Sequence, residues 1–576
     1  MIADFKIIRQ ILPKNQKKAL MLLSGLLFIG MLFEILGLGI LYPILTVLLD
    51  PEKMRMTLKN ITYFDFSLYS YNEILIFSLV SIFVVYLSKT LFLVLLVYKQ
   101  NIILENVSAY IQKRLYSKYL FQSYKSHLYK NLSQMMKEVQ LETIYFNSFC
   151  RSVLTLIVEL ALVFSIVLTI LFLEPKGAMA IGLIFGSLAL LYFQLTKRKI
   201  KQWGSQRQSL DLYLSKILMN SLSGIKEVKL LDKENFFLDR FTQTNTKKVK
   251  VATNHQTLTQ ISRFYLELIT IIGMVSLILI LISNGVNTSE IITLLGVFVA
   301  AAFRMIPSIN RILAALQNLK YYSSSIDVIS KELFDSPIIE KNKSSSIKFK
   351  NKITIDNLDF SYKKKKILEG IHLVIQKGET IGIVGESGSG KSTFVDLLNG
   401  LLKPTKGTIK VDDRNIEEFI TSWQLSIGYV GQEIFLIDDT IRANIAFGIE
   451  DEKIDHNKIN QVLKASQLSK FICELENGVE TMVGDRGIQL SGGQRQRIGI
   501  ARALYHNPSV LIFDEATASL DDQTEKQVMK SIYNLKQNKT MIIIAHRIST
   551  LNQCDKIYKI QQGQIKLKEK EWIAIK

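Results

Sequence analysis

The chain has 576 residues, of which 48% are apolar, and its formal net charge is +20. This length predicts at least two domains, and the concentration of apolar residues in the first 320 positions excludes a single soluble domain. Basic residues flank the apolar runs, which favours a membrane over nucleic acid as the partner, and the three scattered cysteines form no metal-binding or disulfide pattern.

Six apolar runs in the first 320 residues are long enough to cross a membrane as helices, which requires about 20 residues each. Backbone polar groups inside lipid must bond within their own segment, so these runs are predicted to be helical rather than extended. The first run is too long for a cleavable signal, and we interpret it as a permanent span. The predicted spans are 19–45, 74–98, 152–174, 177–196, 264–283 and 289–316. Residues 1–322 are therefore predicted to form an all-α transmembrane domain.

The distribution of basic residues predicts the orientation of these spans. Lysines and arginines collect before the first span and in two long loops, between spans two and three and between spans four and five. The loop 284–290 has no basic residue. The positive-inside rule therefore predicts that both termini and the two long loops are cytoplasmic. Both long loops are predicted to be helical extensions of the spans, with tips near 124–133 and 211–221.

Four basic residues lie within or beside the predicted spans: Lys89, Arg263, Arg304 and Arg311. A charge at the centre of a bilayer costs about 2.5–3.5 kcal/mol, which makes each one a functional candidate. Arg304 and Arg311 are seven residues apart and share a helix face. Together the four predict a cationic cavity that binds an anionic head such as phosphate or pyrophosphate.

Structural roles for these cations are the alternative. Arg263 is four residues before Glu267 and can pair with it along one helix, or extend to the membrane surface. Arg311 can lie in a cytoplasmic extension of the last span. Glu34 and Glu159 also lie within spans and can neutralise the basic residues.

A polar segment, 323–348, is predicted to be a linker to an α/β domain at 349–576. In that domain an apolar strand, Thr380–Val384, leads into the pattern GxxxxGK[ST], which is typical of a phosphate-binding loop. Lys391 is expected to reach the β- and γ-phosphates of a nucleotide, and Ser392 to ligate Mg²⁺. The predicted ATP-binding residues of this loop are Gly385, Glu386, Ser387, Gly388, Ser389, Gly390, Lys391, Ser392 and Thr393.

A second apolar strand, Val510–Phe513, ends in the acidic pair Asp514 and Glu515. Asp514 fits the carboxylate that holds Mg²⁺ in nucleotide hydrolases with this loop. Glu515 is placed to orient or deprotonate the attacking water. The alternative is an incidental acidic pair at the end of a strand.

Between these two strands lies the segment Leu490-Ser-Gly-Gly-Gln494. It is identical to the signature motif of ABC transporters, and residues 350–570 resemble the nucleotide-binding domain of that family. The resemblance implies that Ser491 and Gly493 of one subunit close on ATP held by the loop of another. A homodimer with two active sites is the simplest consequence, with a heterodimer left open.

Other positions match the family one at a time. Tyr362 resembles the aromatic residue that stacks on adenine, and Gln432 the glutamine that links Mg²⁺ to the membrane domain. His546 resembles the histidine that senses the γ-phosphate and is expected to be catalytic with Glu515. The segment 481–487 resembles the one that touches the membrane domain in exporters, with Asp485 where glutamate is usual.

A membrane domain followed by a cassette on one chain is the order found in ABC exporters. Within that group, the segments 35–43 and 303–312 resemble bacterial flippases of lipid-linked oligosaccharides of the PglK type. The resemblance implies transport of a polyprenyl-pyrophosphate-linked glycan, or a similar anionic glycolipid, from the cytoplasmic to the outer leaflet of a bacterial inner membrane. The alternatives are an ABC exporter of drugs, other lipids or peptides, and a non-transporting ABC protein.

Overall fold

The long apolar runs form long helices in the computed structural model of the protein. The structure describes residues 2–39, 71–173, 175–283, 288–334, 348–517, 520–536, 538–545 and 547–568. The chain divides into two compact units. The first comprises Met1–Gln122 and Lys130–Ile338, and the second comprises Ser123–Tyr129 and Ile339–Lys576.

The first unit is helical. Pro175 occupies the first position of one of its longest helices, where a missing N–H has no cost. A π-helical turn, Glu138–Glu142, joins two helices near the middle of the unit. The helices up to residue 334, with α4 belonging to the second unit, are α1 (Ile2–Ile11), α2 (Lys14–Gly39), α3 (Tyr71–Phe121), α4 (Tyr124–Tyr129), α5 (Leu132–Lys137), α6 (Thr143–Leu173), α7 (Pro175–Ser223), α8 (Ile225–Leu230), α9 (Glu234–Ser283) and α10 (Thr288–Phe334).

Three helices in the described part of the chain are long and apolar enough to cross a membrane: Leu79–Phe121, Leu132–Leu168 and Glu234–Ser276. The prediction of six spans is therefore not confirmed, and part of the predicted span 19–45 lies outside the described residues. Helices α3, α7 and α9 continue far beyond the predicted spans, as expected for helical loops. Helix α10 ends at Phe334, so residues 323–334 of the predicted linker are helical.

Large apolar side chains are exposed on the outer faces of the long helices. Phe83 and Val94 on α3, and Phe264 and Ile271 on α9, are each more than half exposed. Exposed apolar faces of this extent are unfavourable in water and are typical of a surface that meets another apolar phase. Inside the unit, α3, α6 and α10 bury a shared core.

The second unit is an α/β domain with two sheets. The four-stranded sheet has the order β2-β1-β4-β5 and the six-stranded sheet has the order β10-β9-β3-β8-β7-β6. The strands are β1 (Lys352–Tyr362), β2 (Lys365–Gln376), β3 (Thr380–Gly385), β4 (Lys406–Val411), β5 (Arg414–Asn415), β6 (Ile427–Val430), β7 (Val510–Asp514), β8 (Thr540–Ile544), β9 (Lys556–Gln561) and β10 (Gln564–Lys568).

Strands β3, β6, β7, β8 and β9 run parallel. Such strands are buried on both faces, which explains why β7 and β8 are continuous apolar runs. Because β3 and β7 both pair with β8, their carboxyl ends lie at one edge of the sheet, where ligands bind in folds of this type. The helices of this domain are α11 (Lys391–Leu398), α12 (Ile420–Leu425), α13 (Ile441–Ile445), α14 (His456–Ala465), α15 (Ser469–Glu474), α16 (Gly492–Tyr505) and α17 (Asp522–Tyr533).

Candidate functional site

The loop between β3 and α11 forms an open cradle. Gly388 and Gly390 have φ of 78° and 104°, values that glycine adopts without steric cost. A Cβ at Gly385 would lie 2.6 Å from the carbonyl oxygen of Ile560, whereas a Cβ at Gly388 would meet nothing within 4 Å. The loop is therefore packed against the sheet at its base and free on its outer side.

Two polar side chains in the cradle fit an anionic ligand. The ammonium of Lys391 is buried and donates to the carbonyl oxygens of Gly385, at 2.8 Å, and Glu386, at 3.1 Å. The hydroxyl of Ser389 is buried and has no hydrogen-bond partner among the described residues. A phosphate oxygen would satisfy both groups, since buried polar groups are normally hydrogen-bonded. A cavity of about 480 Å³ lies against residues 386–389.

Asp514, at the end of β7, is buried beside this loop. Burial and the neighbouring charge of Glu515 raise the pKa of Asp514, while Lys391 and a hydrogen bond from Tyr429 act in the opposite direction. A carboxylate in such surroundings gains from a nearby divalent cation, because the cation offsets both burial and the like charge. The residues present therefore fit Mg²⁺.

Glu515 and Gln432, predicted separately from the sequence, lie together. The side-chain amide of Gln432 donates to the Glu515 carboxylate at 2.9 Å. Glu515 has φ of 52°, a left-handed conformation that costs a non-glycine residue about 1–3 kcal/mol. Its backbone N–H donates to Ile544 at 3.0 Å, which holds the strained peptide at the end of β8. The carboxylate is thus held at the edge of the sheet where the phosphate-binding loop begins.

Two further groups surround Asp514 and were missed in the sequence. Tyr429, on β6, is hydrogen-bonded to Asp514, and its own pKa is raised by burial and by that carboxylate. Burial and the charge of Asp514 raise the pKa of Asp396 to about 6. The available signal was spacing, because Asp396 lies four residues after Ser392 on one face of α11.

Tyr362, at the end of β1, lies beside the same loop. Its hydroxyl is hydrogen-bonded to Thr393, and burial raises its pKa. Its ring meets that of Phe360 edge-on, with the centroids 4.8 Å apart. The structure therefore brings together Tyr362, predicted to stack on the adenine, and Thr393, predicted to lie in the loop that holds the phosphates.

The signature segment lies at the N-terminus of α16. Ser491 is exposed and forms a capping box with Gln494, in which each side chain bonds the other residue's backbone N–H. Among the described residues, no hydrogen bond joins Ser491 or Gly493 to the phosphate-binding loop of the same chain. His546 lies outside the described residues.

Two of the four basic residues predicted to form a cavity are ion-paired. Arg263 contacts Glu267 at 2.8 Å, and both side chains are exposed. Arg311 contacts the buried Glu159 at 2.5 Å. The structure has the arrangements that the sequence offered as alternatives: Arg263 pairs with Glu267 along α9, and Glu159 neutralises Arg311.

These two arginines lie at the same level of neighbouring helices, because a hydrogen bond joins Ser262 on α9 to Asn310 on α10. Lys89 is buried on α3, with its ammonium 5.1 Å from the centre of the Tyr86 ring. Arg304 lies on α10, and its side chain is outside what the structure describes.

Comparison with known families agrees with this architecture. The profile described as ABC transporter transmembrane region matches residues 19–306, and the profile described as ABC transporter matches residues 368–518. The chain belongs to the ABC transporter family. In this chain a transmembrane domain precedes an α/β nucleotide-binding domain.

Several bacterial ABC transporters are similar to this one over roughly two thirds of its length. The ATP-dependent lipid A-core flippase of Nitrosococcus oceani is 32% identical over 61% of this chain and 59% of its own, and that of Saccharophagus degradans is 33% identical over 65% and 62%. The heterocyst differentiation ATP-binding protein HepA of Nostoc is 33% identical over 66% and 63%. The matches thus span about 60% of these relatives' lengths.

Among solved structures, a bacterial Atm1-family ABC exporter with ATP bound superposes with a TM-score of 0.77. The match covers 96% of this chain and 94% of that one, at 23% identity, and it shows that the two share a fold. None of these proteins is named as a flippase of the PglK type.

Proposed function

We propose that this ABC transporter hydrolyses ATP to move an anionic lipid-linked glycan across a bacterial inner membrane, from the cytoplasmic to the outer leaflet. Both termini are cytoplasmic in this proposal. The observation that carries it is the contact between Gln432 and Glu515, which lies beside Asp514 and the phosphate-binding loop. The same chain has apolar helices long enough to cross a membrane. That arrangement supplies a hydrolytic site and a membrane-embedded element on one polypeptide.

In the nucleotide site, the residues divide the work between binding and hydrolysis. Lys391 and the N–H groups of residues 385–393 hold the phosphates, and Tyr362 covers the adenine. Glu515 accepts the proton of the attacking water, and Gln432 orients its carboxylate through their hydrogen bond. The role proposed for His546, from its resemblance to the family's histidine, is to sense the γ-phosphate.

Ser392, Gln432 and Asp514 are the residues that would hold Mg²⁺, which neutralises phosphate charge when bound. Ser491 and Gly493 complete the site of a second copy of the chain. Ser491 is exposed at the N-terminus of α16, and the positive end of the helix favours an anion, which supports this. The working unit is therefore a homodimer.

The proposed substrate has a phosphate or pyrophosphate joined to a glycan and to a lipid tail. Two relatives bear the name lipid A-core flippase, which supports a lipid as the transported molecule. Arg263 and Arg311 lie at one level of α9 and α10 and, with Lys89 and Arg304, form the anion-binding surface. Entry of a phosphate would exchange the contacts to Glu267 and Glu159 for contacts to the substrate.

A second candidate is an exporter of drugs, other lipids or peptides. The observation that favours it is the neutralisation of both arginines by carboxylates, which gives them a structural role without any anion.

Stimulation of ATP hydrolysis separates these candidates. The protein is reconstituted in vesicles, and its ATPase rate is measured with and without a polyprenyl-diphosphate-linked oligosaccharide. The proposal expects stimulation that Arg311→Ala reduces severalfold. Arg151→Ala, which removes an exposed arginine facing Glu105 at 3.8 Å, serves as the matched control. Absence of stimulation, or equal stimulation in the Arg311 variant, would favour the second candidate.

A further inference from the structure

A polar cavity of about 510 Å³ lies within the first unit, between α6, α7, α9 and α10. Most of its lining residues come from the part of α9 that precedes the apolar segment 264–283 and from the C-terminal part of α10. Its walls include Tyr145, Arg207, Lys248, His255 and Tyr321. These residues were not predicted from the sequence as functional, and the proposed nucleotide and lipid sites do not use them.

Arg207 is the central group of this cavity. Its side chain is 3% exposed, and its guanidinium lies 3.8 Å from the ring centre of Tyr145 and 4.8 Å from that of Tyr321. One terminal nitrogen, Nη2, donates to Ser325 at 3.1 Å. Within the described chain, Nε and Nη1 have no hydrogen-bond partner. Buried donors of this kind are normally satisfied, so the cavity lacks an acceptor at this point.

The close approach of two helices holds Arg207 in place. A Cβ at Gly204 would lie 2.3 Å from the carbonyl oxygen of Tyr321, so α7 and α10 touch through backbone atoms here. Arg207 follows Gly204 by one helical turn and is therefore pressed against the aromatic residues of α10. The unsatisfied donors are fixed in position before any ligand arrives, which lowers the entropy lost on binding.

The charges around the cavity leave a positive excess. Asp211 is buried, accepts a hydrogen bond from Tyr145 at 2.9 Å and contacts Lys248 at 2.7 Å and Arg207 at 4.0 Å. One carboxylate therefore faces two cations. His255 stacks on Tyr321 at 3.8 Å, and its Nε2 has no partner among the described residues. An anionic oxygen fits this set, because it would balance the charge and accept from Nε and Nη1 of Arg207.

The remaining wall is neutral and rich in paired donors and acceptors. The carboxamides of Gln256, Gln260 and Asn318 and the hydroxyl of Thr259 all border the cavity. Each carboxamide both donates and accepts, which matches the hydroxyl groups of a sugar. A nucleobase fits less well, because Arg207 and His255 already lie against the aromatic rings.

We propose that this cavity binds a glycosyl phosphate, meaning a sugar residue joined to a phosphate group. The phosphate meets Arg207 and Lys248, and the sugar meets the carboxamide wall. The ligand is either a free sugar phosphate or the head of a lipid-linked glycan, and in the second case the assignment rests on the proposed flippase function. It is a separate site from the proposed anion-binding surface of Lys89, Arg263, Arg304 and Arg311.

Calorimetry on the full-length protein in phosphatidylcholine nanodiscs tests this assignment. The probes are N-acetylglucosamine 1-phosphate, inorganic phosphate and N-acetylglucosamine. We expect saturable binding of the sugar phosphate, weaker binding of each half, and a loss of at least tenfold in affinity for Lys248→Gln. Lys250→Gln makes the same change two residues along α9, at an exposed position outside the cavity, and should bind as the wild type does.

A second variant addresses the sugar end and avoids the buried charges. Asn318→Ala should weaken binding of the sugar phosphate severalfold and leave inorganic phosphate unchanged. Nanodiscs that contain polyprenyl-diphosphate-N-acetylglucosamine form the lipid arm of the experiment. If binding occurs only in the lipid arm and is lost with Lys248→Gln, the ligand is the head of a lipid-linked glycan. If the free sugar phosphate binds, the ligand is a soluble sugar phosphate.

The result that would overturn the assignment is absence of binding in both arms, or equal affinity of the wild type and Lys248→Gln. The proposed function fails independently of it. A protein that binds the free sugar phosphate through Lys248 but shows no stimulation or transport of lipid-linked glycan retains this site and loses the flippase role.

Discussion

The buried ion pair between Lys137 and Glu142 offers a quantitative test of what holds the helical unit together. The Lys137 ammonium lies 2.5 Å from the Glu142 carboxylate, and the two side chains are 4% and 0% exposed. Lys137 ends α5 and Glu142 ends the π-helical turn before α6. The pair thus closes an irregular junction between two helices.

The contribution of this ion pair to the free energy of unfolding follows from the distance between the charges and from their burial. At an effective dielectric constant of about 20, the attraction at this separation is about 6–7 kcal/mol, opposed by several kcal/mol of desolvation for each ion. Neither oxygen of Glu142 has a well-directed hydrogen-bond donor in the described structure, so the carboxylate depends on Lys137. Lys137→Met should therefore lower the free energy of unfolding by about 3–5 kcal/mol.

A double-mutant cycle measures this by SDS-induced unfolding of the purified protein. The double variant Lys137→Met with Glu142→Leu should recover most of the loss, because no charge is then left buried. Lys113→Met, at an exposed position of α3, controls for loss of a surface lysine. A Lys137→Met protein within about 1 kcal/mol of the wild type, or a double variant no more stable than the single one, would refute the reasoning.

Three further predictions follow from individual contacts. Glu515→Gln should lower ATP hydrolysis by about 10²–10⁴-fold and preserve nucleotide binding, since only the base is lost; a rate within tenfold of the wild type would exclude that role. Gly204→Ala should lower the free energy of unfolding by about 1–3 kcal/mol, because the new Cβ meets the carbonyl of Tyr321. Gly186→Ala is the control on the same helix: its Cβ meets no atom within 4 Å, so thermal unfolding should show no loss of stability. Burial alone would raise the pKa of Asp412, but three backbone N–H groups outweigh it and hold that pKa below its usual range. The stabilisation by this carboxylate is therefore present above the unfolded pKa of about 4 and is lost as the pH falls through the folded value, so Asp412→Asn should differ from the wild type at pH 7 and converge with it in acid unfolding.

The nucleotide-binding half was largely predictable because its chemistry is local in sequence. The strand before the loop, the loop itself and the acidic pair at the end of β7 are short contiguous patterns, and the structure confirms the strands as β3 and β7. The contact between Gln432 and Glu515 was not predictable by physics alone, since 83 residues separate them and only the sheet order brings them together.

The helical half was less predictable because its polar contacts join distant positions. Hydropathy indicates where the apolar helices lie, and the two long loops were predicted to be helical, which the lengths of α3, α7 and α9 confirm. It does not show that Arg207 meets Tyr145 and Tyr321, because that contact requires the crossing of α7 and α10 at Gly204. The pairing of Arg311 with Glu159 was foreseen as one alternative, but choosing it needed the helix packing.

Outward movement of the lipid-linked glycan in reconstituted vesicles tests the central claim most directly. A fluorescent polyprenyl-diphosphate-linked oligosaccharide is placed in both leaflets, and the fraction reaching the leaflet opposite the ATP-binding domain is followed by an impermeant quencher. The account predicts a rise that requires ATP and Mg²⁺ and is abolished by Glu515→Gln. Equal redistribution without ATP, or full movement by the Glu515→Gln protein, would contradict it.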